Sequence, residues 1–316
     1  MDARPAIWSA DEVHAALGYR RLIEALRDAF RAGGEVPVRH HHTVPRPADG
    51  GATLLLMPAW QAGESLGVKL VTIYPGNERH GLPSVQGVYA LFEGRTGRMS
   101  AVLDATALTQ RRTACASALA ASYLARSDSR QLVLLGAGAL APHLARAHAA
   151  IRPIERVAIW NRTHAKAQAL AADLEKAGFD TTATTNPADA VGEADIVTCC
   201  TMSSTPVLRG DWLPPGCHVD LVGGFRPDMR ETDDTAIRRS AVFVDTRSGA
   251  LAEAGDIVQP IREGVLSEEA IRADLFDLCR GDRPARTGPD QITLFKSVGS
   301  ALEDLAAARL IVERAS

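Results

Sequence analysis

The segment QLVLLGAGALA, residues 131–141, constrains the fold of this chain more than any other stretch. An apolar strand, Leu132 to Leu135, is interrupted by Gly136-Ala137-Gly138, and a segment able to form a helix follows directly. Glycines at such a turn let a pyrophosphate approach the backbone N–H groups at a helix N-terminus. A second apolar strand, Arg156 to Trp160, follows at the spacing of a βαβ unit. The sequence therefore predicts a dinucleotide-binding fold, and a glycine turn without a ligand is the alternative.

Composition narrows the class of protein. The 316 residues suffice for two domains, and a net charge of −3 gives no electrostatic reason to expect binding to nucleic acid or to an anionic membrane. No apolar run approaches the length of a membrane span, and the N-terminal MDARPAIWSADEV lacks the apolar core of a signal peptide. Five scattered cysteines without C-x-x-C spacing predict reduced thiols rather than disulfides or a zinc site. We therefore expect a cytoplasmic protein.

The first hundred residues predict two helices and then an antiparallel β-domain. Ser9-x-x-Glu12 has the pattern of a capping box for a short helix ending at Gly18, and an amphipathic helix is expected from Tyr19 to Ala32. Strands separated by Pro/Gly turns are expected at 53–57, 66–74, 86–92 and 99–104. An alanine-rich helix from Leu108 to Ala125 leads into the glycine turn segment.

Strands and helices alternate from residue 132 onward, which is typical of a parallel sheet with crossover helices. Strands are predicted near 132–135, 156–160, 195–200, 218–222 and 241–245, and helices near 139–150, 164–177, 187–193 and 231–239. The apolar residues from Thr293 to Glu313 predict one long helix that returns to the first domain.

The end of the second strand bears on cofactor choice. In dinucleotide folds this strand normally ends in Asp or Glu, which binds the adenosine ribose 2′-OH. Here it runs into Asn161-Arg162-Thr163, so no carboxylate repels a 2′-phosphate, and the Arg162 guanidinium suits one. Thr163 can cap the following helix. The triplet predicts NADPH over NADH, and a solvated Arg162 beside a capping Thr163 is the alternative.

Several basic residues stand in unusual places. Lys69 lies in the middle of an apolar strand, where it either faces solvent or needs a buried partner. Arg111 and Arg112 lie at the start of an otherwise uncharged helix. Either both belong to a solvated turn, or one of them reaches inward to bind a carboxylate or a phosphate. In the run Arg39-His40-His41-His42 only His40 and His42 would share a face of a strand. No further His or acidic residue lies at a suitable spacing, so we expect no metal site.

Long motifs in one order make the chain resemble the ornithine cyclodeaminase/mu-crystallin family nearly end to end. The matching stretches are LLLMPAW (54–60), GVKLVTIYPGN (67–77), GLPSVQGVYALFEGRTG (81–97), LDATALTQRRTAC (103–115), LLGAGALA (134–141), VAIWNRTHAKA (157–167), VDLVGGFRPDMRE (219–231) and LFKSVG (294–299). The resemblance implies a homodimer with a Rossmann NAD(P)-binding domain, residues 114–298. It also implies an α+β substrate-binding and dimerisation domain, residues 1–113 with 299–316. The family places its substrate between the two domains, facing the nicotinamide.

The resemblance also implies roles for individual residues. Arg39, Lys69 and Arg112 match the positions that clamp the substrate carboxylate, with Lys69 also as the catalytic residue, and Ser84 and Phe225 match substrate-facing positions. Cofactor contacts are implied for Ser84, Arg112, Thr113, Gly136, Gly138, Ala139, Leu140, Asn161, Arg162, Thr163, Thr201, Met202, Ser203, Val222, Gly223 and Ser297. Leu140 stands where many relatives carry Gln, so one side-chain bond to the phosphates is expected to be absent.

One departure from the family pattern affects the expected activity. Ornithine cyclodeaminases carry an Asp directly after the Gly-Gly pair and a Lys four residues later, where this chain has Phe225 and Met229. A phenyl ring cannot accept a proton from a side-chain amine. The segment resembles the bacterial branch that reduces Δ1-pyrroline-2-carboxylate to L-proline and Δ1-piperideine-2-carboxylate to L-pipecolate. Alternatives are an amino acid dehydrogenase, an ornithine cyclodeaminase or an NADPH-dependent ligand-binding protein like mu-crystallin.

Overall fold

The computed structural model of the chain describes residues 4–46 and 51–315, apart from the side chains of residues 78 and 315. The strands are β1 (Ala6–Trp8), β2 (His40–Val44), β3 (Ala52–Gln61), β4 (Ser65–Ile73), β5 (Val85–Glu93), β6 (Met99–Asp104), β7 (Gln131–Leu135), β8 (Arg156–Trp160), β9 (Asp180–Ala183), β10 (Ile196–Cys199), β11 (His218–Leu221), β12 (Ala241–Val244) and β13 (Thr293–Lys296). The helices are α1 (Ala10–Ala16), α2 (Tyr19–Ala32), α3 (Ala105–Leu124), α4 (Ala141–Ala149), α5 (His164–Lys176), α6 (Pro187–Gly192), α7 (Asp234–Arg239), α8 (Arg247–Glu253), α9 (Gly255–Arg262), α10 (Leu275–Arg280) and α11 (Ala301–Ala315).

The described residues form two compact units. Unit 1 comprises Met1–Arg112 with Ser300–Ser316, and unit 2 comprises Thr113–Gly299. None of the helices in the part of the chain that the structure describes combines the length and apolar character that a membrane crossing requires.

Unit 1 is built on a six-stranded sheet of order β1-β6-β5-β4-β3-β2. All neighbouring strands pair antiparallel except β1, which runs parallel to β6. Alternate residues of the central strands, such as Met57, Tyr89 and Leu103, are buried on the face that packs against α11. Gly67 is required on that face, because a Cβ there would lie 1.9 Å from the Tyr89 hydroxyl oxygen. The predicted antiparallel β-domain is confirmed, with the parallel β1 added.

Unit 2 is a seven-stranded parallel sheet of order β12-β13-β11-β10-β7-β8-β9. Every residue of β7 is buried, as expected for a strand covered on both faces. The strand order reverses between β7 and β10, which is the topological switch point of a doubly wound Rossmann sheet. The α/β fold class predicted from the glycine turn and the strand alternation is confirmed.

The prediction of one helix from Thr293 to Glu313 is wrong. Residues Thr293–Lys296 form β13, which pairs with β11 and β12, and Gly299, with φ +85°, separates it from α11. A short apolar run buried on both sides has no periodicity that distinguishes a central parallel strand from a helix. The sequence reading also omitted strands β1, β2 and β9 and helices α8, α9 and α10.

Candidate functional sites

The glycine turn after β7 has the geometry of a dinucleotide cradle. Gly136 adopts φ +122°, and its N–H donates to the Trp160 carbonyl at 2.8 Å. A Cβ on Gly136 would lie 2.8 Å from the Cys200 carbonyl oxygen, whereas a Cβ on Gly138 would meet nothing within 4 Å. Gly136 is therefore required by its backbone conformation and by its contact with Cys200, independently of any ligand. The second leaves the backbone before α4 open to a phosphate group, so this turn fits a dinucleotide.

The triplet after β8 is arranged around Asn161. Its side chain accepts from the Ala137 N–H at 3.2 Å and donates to the Thr163 carbonyl at 3.0 Å, which links the triplet to the glycine turn. Arg162 is exposed beside it. Thr163 occupies the N-cap position of α5 but makes no side-chain capping bond, so that part of the prediction is wrong. The triplet offers a free guanidinium surface and no carboxylate.

The loops after β10 and β11 lie on the other side of the switch point from β8. In a doubly wound sheet the adenosine half of a dinucleotide binds over the first three strands, so the nicotinamide half belongs over β10 and β11. The first of these loops contains Thr201, Met202 and Ser203, with the Met202 side chain 74% exposed. The second contains Val222 and Gly223.

The remaining residues of this side differ in accessibility. Phe225 is 39% exposed, whereas Met229 is buried. Ser297 is also buried, and its hydroxyl lies 3.3 Å from an Asp245 carboxylate oxygen. Of the residues that the resemblance assigns to the cofactor, Ala139 and Arg162 are exposed, Leu140 is partly exposed and Thr113 is buried.

Lys69 and Arg112 come together in unit 1 as part of a buried ion-pair cluster. The Lys69 Nζ lies 2.8 Å from Asp304 Oδ2, and it donates to the Thr109 hydroxyl at 3.3 Å. The Arg112 Nε lies 3.1 Å from Asp304 Oδ1, and its Nη1 lies 2.7 Å from Glu303 Oε2. All four charged side chains are at least nine-tenths buried. The solvent-facing alternative for Lys69 is thereby excluded.

The elements explain this placement. Lys69 lies on the face of β4 that packs against α11, opposite Met57 on β3 and Tyr89 on β5. Glu303 and Asp304 lie in the first turn of α11, where the helix dipole favours negative charge. Sequence reasoning missed both carboxylates. The signal available was an adjacent Glu-Asp pair in the first turn of an otherwise apolar helix.

Burial sets the acidity of Lys69. It lowers the pKa of Lys69 to about 8, and the neighbouring Arg112 and Arg39 act in the same direction, while Asp304 opposes them. The four buried side chains carry two positive and two negative charges, and the partly exposed Arg39 adds positive potential at Lys69. An ammonium and a guanidinium held close together by shared carboxylates are suited to binding a carboxylate ligand. The lowered pKa also makes the ammonium a better proton donor near neutral pH.

Other basic residues lie elsewhere. Arg111 donates to the His14 carbonyl at 3.0 Å and stacks 4.2 Å above the Tyr19 ring, so it packs against α1 and α2. The His40 and His42 rings lie 6.3 Å apart on the exposed β2. Ser84 is partly exposed next to β5 and accepts the Tyr74 N–H through its carbonyl. Among residues 4–46 and 51–315, no group of three or more His, Cys, Asp or Glu side chains is arranged to hold a metal.

Comparison with known proteins places these sites in context. The model of the ornithine cyclodeaminase/mu-crystallin family matches residues 4–316. A Delta(1)-pyrroline-2-carboxylate reductase of Paracoccus denitrificans is 39% identical over 317 residues, covering 97% of this chain and 96% of that protein.

The solved structures that match nearly the whole chain include two with bound nicotinamide cofactor. One is Thermococcus litoralis Delta(1)-pyrroline-2-carboxylate reductase in complex with NADH and L-proline, with a TM-score of 0.92 and 33% identity, covering 98% of this chain and 97% of that one. The other is an archaeal alanine dehydrogenase dimer with bound NAD, with a TM-score of 0.90 and 27% identity, covering 98% of this chain and 96% of that one.

Proposed function

Because the chain belongs to the ornithine cyclodeaminase/mu-crystallin family, we propose that it is an NADPH-dependent reductase of cyclic imino acids. The substrates are Δ1-pyrroline-2-carboxylate and Δ1-piperideine-2-carboxylate, and the products are L-proline and L-pipecolate. The relatives named as reductases of the first compound support the reaction class. We further propose a cytoplasmic location, which the five free cysteines favour and which cell fractionation would test.

The buried cluster of unit 1 carries this proposal. Asp304 holds the Lys69 ammonium and the Arg112 guanidinium close together, and Arg39 adds positive potential at Lys69, which suits a substrate with a single carboxylate. Phe225 stands where the resemblance places the cyclodeaminase acid. In the same segment the Asp228 carboxylate is exposed and held by Arg226 at 2.8 Å. Position 225 therefore offers an aromatic ring rather than a base for a side-chain amine, and the carboxylate of Asp228 is engaged by Arg226.

In the proposed mechanism the basic residues anchor the substrate carboxylate, and Lys69 also protonates the ring nitrogen. Arg112 and Arg39 bind and orient the carboxylate, and Lys69 adds a third positive contact. The turn from Gly136 to Leu140, Asn161 and Arg162 would hold the cofactor, together with the loops at Thr201 and Gly223. When bound, the nicotinamide supplies the hydride that the C=N carbon receives. Lys69 keeps the ring nitrogen protonated, directly or through water. The substrate is then reduced as the iminium ion, and the product is a neutral secondary amine.

A direct assay tests the function. Enzyme mixed with NADPH and either cyclic imine is expected to consume absorbance at 340 nm. Lys69→Ala is expected to lower kcat/KM by roughly two or more orders of magnitude, since it removes an anchoring charge and a proton donor. NADPH affinity should stay unchanged. Lys166→Ala, an exposed lysine in α5, is the matched control. No oxidation of NADPH by wild-type enzyme with either imine would refute the proposal.

The same assay separates the alternatives. The likeness to an alanine dehydrogenase makes pyruvate with ammonia the informative second substrate. Turnover of that pair, without turnover of the imines, would assign a dehydrogenase instead. Ornithine consumption would assign a cyclodeaminase, and tight NADPH binding without any turnover would assign a ligand-binding protein.

The acidity of Lys69 predicts a pH dependence. With the pKa of Lys69 at about 8, kcat/KM is expected to fall as pH rises through that value, because the charged form is the active one. Asp304 raises the pKa of Lys69, so Asp304→Asn should move this alkaline limb to lower pH. Both proteins are assayed with one imine, so that titration of the substrate is common to both. An unmoved limb would remove Lys69 from the titrating step.

Cofactor preference tests the role of Arg162. A guanidinium bond to a 2′-phosphate contributes about 1.5–3 kcal/mol, so Arg162→Ala should raise KM for NADPH roughly tenfold or more. KM for NADH should not change. Arg156→Ala, an exposed arginine at the opposite end of β8, is expected to alter neither constant. Equal effects of Arg162→Ala on both cofactors would contradict this role.

We also propose that a second copy of the chain covers the open face of the unit 1 sheet. This face carries Leu66, Val88 and Met99, which are 41%, 45% and 37% exposed, and Leu70 pairs with Val88 beside them. Contiguous apolar surface of this kind marks an interface. A structural relative described as a dimer supports a second copy as the occupant.

Oligomeric state tests the proposed dimer. Wild-type protein is expected to elute as a dimer in size-exclusion chromatography with light scattering. Val88→Asp should shift the mass toward that of one chain, because it buries a charge in the interface. Ala169→Asp, on the exposed surface of α5, should leave the mass unchanged. A monomeric wild type would end this proposal.

A further inference from the structure

A second cluster of buried charged side chains lies in unit 2. The sequence alone suggested no role for any of its three members. It consists of Glu231, Asp256 and Lys296, all fully buried. The Lys296 Nζ lies 3.2 Å from Asp256 Oδ2 and 4.0 Å from Glu231 Oε2. The three side chains come from the loop after β11, from the first turn of α9 and from the end of β13.

Glu231 connects the two loops on the nicotinamide side of the switch point. Its Oε1 accepts from the Thr201 N–H at 2.7 Å and from the Thr201 hydroxyl at 2.8 Å. Its Oε2 accepts from the N–H groups of Gly223 and Gly224 at 2.8 and 3.2 Å. Three of the four partners are backbone N–H groups, which can only donate, so the arrangement favours an ionised carboxylate.

Asp256 holds the backbone at Glu231 in place, and Lys296 favours the charged form of Glu231. Asp256 Oδ1 accepts the backbone N–H groups of Glu231 and Thr232 at 2.7 and 3.1 Å. Burial raises the pKa of Glu231, the Lys296 charge and the Thr201 hydrogen bonds act against that rise, and the Asp256 carboxylate adds to it. Two carboxylates and one ammonium leave one buried negative charge, which the surrounding N–H groups stabilise.

The glycine pair fits this cluster closely. A Cβ on Gly223 would lie 1.8 Å from the Thr201 carbonyl oxygen, and one on Gly224 would lie 2.9 Å from Asp256 Oδ2. The glycines are therefore required by contact with the buried carboxylates and the neighbouring loop, independently of any ligand.

From these contacts we propose that Glu231 is a positioning residue for the nicotinamide half of the cofactor. It acts by fixing the loops at Thr201 and Gly223, with Lys296 and Asp256 maintaining it. This inference rests on the proposed dinucleotide function of unit 2. The pyrophosphate turn touches this region at Gly136 and Cys200 but makes no bond to Glu231, so we expect Glu231 to affect the nicotinamide half of the cofactor more than the pyrophosphate.

Binding of the cofactor and of its truncated form tests the proposal. Glu231→Gln keeps the shape but places an amide N–H₂ against N–H donors. Its affinity for NADPH is expected to fall about tenfold or more, as loss of charged hydrogen bonds would produce. Its affinity for 2′-phospho-ADP-ribose, which lacks the nicotinamide, should stay within about twofold. NADH and ADP-ribose serve as a parallel pair in titration calorimetry.

A matched control separates positioning from general damage. Asp220→Asn alters another fully buried carboxylate of unit 2, bonded to Ser117 and Thr198 rather than to these loops. It should lower Tm while leaving the ratio of the two affinities unchanged. Equal losses for both ligands in Glu231→Gln, or no loss for either, would overturn the proposal.

Amide hydrogen exchange of the wild-type protein without cofactor gives an independent test. The N–H groups of Thr201, Gly223 and Gly224 should be protected, whereas that of the exposed Ala139 in the pyrophosphate turn should exchange rapidly. Rapid exchange at all four would overturn the proposal even if Glu231→Gln failed to fold. These readouts need no turnover. A wild type that reduced no cyclic imine would refute the proposed activity and leave this inference standing.

Discussion

The requirement that a buried charge be paired governs unit 1. Lys69 and Arg112 lie within the first part of the chain, yet their carboxylate partners lie in the first turn of the last helix. Breaking such a pair leaves a charge in a medium of low dielectric, at a cost of several kcal/mol. The sheet therefore depends on α11 electrostatically as well as through its apolar packing. The same pairing holds the two cations in fixed positions, which under the proposed function would reduce the entropy lost when the substrate carboxylate binds.

The two units contain buried charge clusters of different kinds. The unit 1 cluster pairs two cations with two carboxylates, and the unit 2 cluster keeps one negative charge that backbone N–H groups stabilise. Neighbouring cations can also bind a carboxylate ligand, whereas a carboxylate saturated with N–H donors organises the backbone around it. The first arrangement is therefore suited to binding and the second to architecture, although both consist of Lys, Asp and Glu side chains.

Local sequence patterns predicted many of the helices and strands. Contacts between residues far apart in the sequence could not be predicted from such patterns. The amphipathic pattern predicted α2 with the bounds that the structure has, and the capping box of Ser9 and Glu12 is present. The strand β13 was missed because burial on both faces removes periodicity. Asp304 was missed for a different reason. Its partners Lys69 and Arg112 lie about two hundred residues earlier, and no pattern within one segment encodes that pairing.

The loop after β11 is anchored at both ends and exposed between them. Glu231 binds the backbone at Gly223 and Gly224, and Asp256 binds it again at Glu231 and Thr232. The residues between these anchors, from Phe225 to Asp228, are exposed and make no bond to the cluster in the described structure. The acid that the resemblance places at 225 in cyclodeaminases can therefore become a phenyl ring without disturbing the anchors. The second departure from that pattern, Met229, is buried beyond this exposed segment.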